Sequence, residues 1–155
     1  MPMASSLEKS CSLDDLMPLI LEQLASGHSV RFSPRGTSML PMLRQGLDTV
    51  TLSPLPETLC KYDLPLYHRN NGQYVLHRIV DTGATYTCIG DNQFITEPGL
   101  CREQMIGLVT AFTRDGREHS VTDISYRLYC RFWHYSRPLR HFWLRIKSFL
   151  RRILK

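Results

Sequence analysis

Arg35-Gly36-Thr37-Ser38-Met39-Leu40-Pro41-Met42-Leu43 is a serine set between a glycine and a proline, with apolar residues directly after it. Gly36 permits a sharp turn, Pro41 stiffens the exit, and the turn between them holds the Ser38 hydroxyl outward. The backbone N–H groups around Thr37, Ser38 and Met39 could then hold a developing oxyanion. By residue type alone, such a serine is more often structural than catalytic.

On both sides of this loop the apolar pattern is short and alternating. Residues 28–33, 48–52, 73–80, 84–89, 104–113 and 119–122 are rich in Val, Ile, Tyr and Thr. Turn clusters bound them at Asn70-Asn71-Gly72, Asp81-Thr82-Gly83 and Arg114-Asp115-Gly116. Each reads as a strand, and 74–80 with 84–89 reads as a hairpin. Ahead of them, residues 12–25 read as one amphipathic helix, with Ser12 as N-cap and Asp14 and Asp15 in its first turn. Pro18 is expected to shift that start to Met17. The fold class expected is mainly β.

The C-terminal end differs in character. Residues 124–136 and 138 onward read as two helices, the second with Leu139, Phe142, Trp143, Ile146, Phe149, Leu150 and Ile153 on one face. From 124 to 155 there are nine basic residues and no acid, although the whole chain carries only +5. The expected organisation is a β domain over 1–123 and a basic amphipathic helical tail over 124–155. Two roles for that tail stay open: packing on the core, or peripheral binding to an anionic membrane surface. Nucleic acid uses the same residue types and ranks behind both.

Composition narrows the class further. Of the 155 residues 43% are hydrophobic and 21% charged, which excludes a disordered chain. The five cysteines are widely spaced and form no CxxC pair, so reduced thiols in a cytoplasmic setting are expected, with the basic tail offering attachment at the inner membrane face. The longest uncharged run is ten residues, Gln104–Thr113, well short of the roughly 20 a spanning helix needs. No histidine has metal-ligand spacing and no glycine cluster makes a phosphate loop, so neither metal nor cofactor is expected.

The Ser38 segment resembles the Ser-Met box of type I signal peptidases and of the related repressor-type autoproteases. Further boxes follow in the same order. Gln45–Val50 resembles the next turn and strand, Tyr74–Val80 the strand that carries the base, Ile89-Gly90-Asp91-Asn92 the Gly-Asp-Asn box, and Met105–Val109 the closing strand. The resemblance spans about residues 33–110. It implies a coiled antiparallel β core and a serine endopeptidase acting on a peptide or protein substrate, with Ser38 as nucleophile.

The bacterial enzymes and the autoproteases use a lysine base, whereas the matching position here is His77, 39 residues after Ser38. In this the chain resembles the Ser-His branch, where an imidazole of ordinary pKa near 6.5 already suits proton transfer. The resemblance offers Asp91 or Glu97 as the acid that orients the ring. Glu97-Pro98-Gly99 departs from the usual acid-Arg or Ser-Arg pair, so which of the two serves stays open. Gly36 lies two before the nucleophile, leaving no hydroxyl there to assist. Two other functions are carried alongside: a self-cleaving repressor-type regulator, and an inactive peptidase-fold module that binds through its tail.

Overall fold

The computed structural model describes residues 13–154. Helix α1 spans Leu13–Ala25 and buries Met17, Ile20 and Leu24, at helical spacing, against the sheet. It begins at Leu13 and carries Pro18 inside it, so the start is not displaced to Met17. The expected N-cap, Ser12, lies outside the described residues.

Nine strands follow: β1 Val30–Phe32, β2 Thr49–Ser53, β3 Pro65–His68, β4 Tyr74–Leu76, β5 Arg78–Thr82, β6 Tyr86–Ile89, β7 Glu97–Leu100, β8 Met105–Arg114 and β9 Arg117–Ser120. Every pairing is antiparallel. One sheet runs β1-β2-β8-β3-β4 with β9 also on β8; the other runs β5-β6-β7. The ten-residue β8 is the spine of the larger sheet, with β2 along one edge and β3 and β9 sharing the other.

Helices α2 (Ile124–Tyr135) and α3 (Arg137–Ile153) follow, and among the described residues the three α-helices claim as many positions as the strands. The architecture is therefore mixed α/β with antiparallel sheets, more helical than the mainly β expectation. Two strands were not read from the sequence. Pro65 opens β3, and Pro98-Gly99 interrupts β7. Both residues are tolerated for a physical reason: a proline is accommodated at a strand's start or on an edge strand, and β7 is an edge.

The expected single strand over 73–80 is in fact two. His77 stands between β4 and β5, where the chain leaves the larger sheet for the smaller one. Two hydrophobic clusters form, and the smaller joins residues of both sheets. Met39, Met42 and Leu43 of the serine loop join Val50, Leu66 and Phe112 in the larger core, and Tyr67, Ile79, Cys88 and Leu100 lie in the smaller.

The two C-terminal helices behave differently. Tyr126 and Cys130 of α2 are buried in the larger core. No residue of α3 is buried, and its apolar side chains stand open to solvent. Helix α2 therefore packs on the core, whereas most of α3 stands off it.

Candidate active site

The serine loop is built by its neighbours on three sides. Gly36, at a φ of 88°, makes the entry turn, and its N–H is held by the side-chain oxygen of Gln45. Behind it, Arg44 clamps the buried Asp48 through paired bonds of 2.7 and 2.9 Å, which fixes the exit into β2. That contact also holds the Asp48 carboxyl below its ordinary pKa.

The third side is the Gly90-Asp91-Asn92 turn. The Asn92 amide donates to the Ser38 carbonyl at 2.8 Å, and its side chain donates to the Thr37 carbonyl at 3.2 Å. Gly90 allows this approach: a Cβ there would lie 2.6 Å from the Ser38 oxygen. Among the described residues, the amide N–H groups of Ser38 and Met39 donate to no protein acceptor, and so stay free for a ligand oxygen.

Ser38 and His77 line one cavity of about 530 Å³. Its apolar wall comes from Leu13 and Leu16 of α1, Phe32 of β1, and Met39, Leu43 and Leu66. Ser38 is half-buried and His77 is 3% exposed. Among the described residues no hydrogen bond joins the two side chains; in a substrate-free site such bonds are often long and tighten on binding.

The imidazole is held from its other nitrogen. Nδ1 of His77 lies 3.2 Å from the Tyr67 hydroxyl, and that hydroxyl donates to Oε2 of Glu97 at 2.7 Å. With its proton committed to the carboxylate, Tyr67 accepts from Nδ1–H, which leaves Nε2 unprotonated. Arg69 fixes the far end, bonding both Glu97 oxygens at 2.7 and 2.8 Å. Those bonds hold the Glu97 carboxyl below its ordinary pKa. Burial pushes His77 down to about 4; the positive charge of Arg69 adds to this, and Glu97 and Asp91 partly oppose it. At neutral pH the ring is uncharged.

Asp91 occupies a different place. Its carboxylate takes a bidentate pair from the fully buried Arg78, at 2.8 and 2.9 Å, and a bond from the Tyr129 hydroxyl at 2.9 Å. Trp133 donates to its backbone carbonyl at 2.7 Å. Arg78 spends its other donors on the Tyr62 carbonyl, the Tyr126 hydroxyl, Cys130 and Met42. Asp91 is thus tied to the neighbour of His77 and to α2, and the contact to the ring runs through Tyr67 to Glu97. His77 and Arg78 are consecutive where the chain changes sheet, and the ring meets Tyr67 while the guanidinium meets Asp91 and α2.

Gly36, Thr37, Ser38 and Met39 thus sit in one turn, and His77 shares the cavity that Gly36, Ser38 and Met39 line. Glu97 reaches the ring through one intermediary, and Asp91 ties Arg78 and α2 to the turn whose Asn92 holds Ser38. Tyr67 and Arg69 were missed. Their signal was the spacing Tyr67-x-Arg69, which places two polar side chains on one side of an extended segment, but β3 itself went unread. Comparison of the chain with known protein families, curated proteins and solved structures yields no match.

Proposed function

We propose that the chain is a serine endopeptidase of signal peptidase-like fold that cleaves a leader or precursor peptide. The observation that carries this reading is the shared cavity: Ser38 and His77, distant in sequence, open onto the same space. The neutral, Nδ1-anchored imidazole supports it further.

In this mechanism Nε2 of His77 takes the Ser38 proton as Oγ bonds to the peptide carbonyl carbon. The oxygen becomes an oxyanion held by the Ser38 and Met39 N–H groups. His77 returns its proton to the leaving amine as the C–N bond breaks, and an acyl-enzyme remains. Water then gives a proton to His77 and attacks the ester, and His77 passes that proton to Ser38 Oγ as the C–O bond breaks and the acid product leaves. While His77 is positive, Tyr67 holds Nδ1–H and the Glu97 carboxylate offsets the charge. The apolar cavity wall suits a peptide with a hydrophobic side chain beside the scissile bond.

The test is mass spectrometry of candidate precursor peptides incubated with the wild-type chain, Ser38→Ala and His77→Ala. Cleavage by the wild type alone supports the reading. Equal cleavage by all three, or none of a broad hydrophobic peptide set by the wild type, overturns it.

A further inference from the structure

We propose that α3 is an in-plane membrane helix that docks the chain on an anionic lipid surface. Phe142, Trp143, Phe149 and Ile153 are 62–65% exposed, an apolar face that the described residues leave uncovered. Such a face on a monomer marks an interaction surface.

Charge identifies the occupant. At about 100° per residue, Lys147 flanks one side of the apolar face and Arg145 and Arg152 the other. Long cations at both edges reach outward while their stems lie along apolar surface, the geometry that suits acyl chains below and anionic headgroups beside them. A second copy of α3 would bring like charges together, because α3 carries no acid at all. Nucleic acid would satisfy the cations and leave the aromatic face wet. An anionic bilayer satisfies both faces.

The helix is also held at a set angle. Arg140 donates to the Trp133 carbonyl at 2.8 Å and lies 3.7 Å from the centre of the Trp133 ring. His141 stacks on Phe94 at 4.7 Å. These contacts fix the first turn of α3 to α2 and to the turn after Asn92. An apolar groove of about 830 Å³ then runs from Leu139, Phe142 and Trp143 to Leu40 and Pro41, beside Ser38. A bilayer holding α3 would therefore lie next to the rim of the serine loop. The proposal does not depend on catalysis.

The experiment is co-sedimentation of the full chain, carrying Ser38→Ala, with phosphatidylcholine vesicles and with vesicles containing phosphatidylglycerol. Anionic vesicles should capture the protein at least about tenfold better, and rising salt should release it. Trp143 should report insertion as a blue shift of emission, lost in Trp143→Phe while binding persists. Phe142→Ser with Phe149→Ser should abolish binding, and Arg145→Glu with Arg152→Glu should abolish the anionic preference. These side chains are exposed, so melting temperatures should stay unchanged. No vesicle binding, a dimer that vesicles leave intact, or duplex DNA binding untouched by the Phe142 and Phe149 changes would each overturn the proposal.

Discussion

Gly90 approaches the carbonyl of Ser38 so closely that a methyl group there would sit 2.6 Å from the oxygen. The side chain of Gln93 crowds the same spot at 2.9 Å. The glycine of the Gly-Asp-Asn turn is therefore a spacing device. Gly90→Ala must push the serine loop away or distort its own turn. We expect a loss of about 1–3 kcal/mol in stability, read by urea titration, together with loss of peptidase activity.

Tyr67→Phe removes the hydroxyl that accepts from Nδ1–H while leaving the buried ring volume almost intact. The imidazole then loses the partner that selects its tautomer. A fall of roughly 10- to 100-fold in kcat/KM is expected from one lost buried hydrogen bond, with KM little changed. Steady-state kinetics on a cleaved precursor peptide measures it. Unchanged kcat would remove Tyr67 from the mechanism.

The pH dependence follows from the direction of the His77 shift. Its folded pKa of about 4 lies below the 6.5 of a free imidazole, so the unfolded chain takes up the proton first. The stability this group contributes is present above pH 6.5 and is lost as pH falls toward 4. At 3% exposure the full loss is on the order of 3 kcal/mol. Thermal melts across that range should show it in the wild type and not in His77→Gln. The acid limb of kcat/KM should lie below pH 6.5 for the same reason.

Arg78→Met leaves Asp91 buried and without its charge partner. A loss of about 3–5 kcal/mol is expected, enough to threaten folding. Combining it with Asp91→Leu removes both charges and should restore part of that stability without restoring activity. Chemical denaturation of the single and double variants decides the point, and a double variant no more stable than Arg78→Met would refute it.

Ser38→Ala should separate chemistry from structure. The half-buried hydroxyl holds up no part of the core, so the melting temperature should stay within about 1–2 °C while turnover disappears. Labelling of the wild type by a fluorophosphonate, absent in the variant, offers an independent readout.

Much of this was legible before any coordinates. The alternating runs around β1, β2, β6 and β8 carried a period-two signal strong enough to place them. The serine turn was visible because Gly36 and Pro41 punctuate it. What stayed hidden depended on contacts distant in sequence. The break at His77 is invisible to periodicity, since Tyr74–Val80 is apolar enough throughout to pass for one strand. The partition of the two acids, Asp91 to Arg78 and Glu97 to Tyr67, depends on contacts between residues distant in sequence. The fates of α2 and α3 could not be separated by composition either, because both are basic and amphipathic.

The ties from Arg78, Tyr129 and Trp133 to Asp91 make α2 a buttress behind the turn that carries Asn92. A protein ended after Asp123 would keep every proposed reacting group and still lose its brace, leaving Arg78 and Asp91 facing water. Engineering a minimal version should therefore trim from the far end, beyond His141, and never from the start of α2.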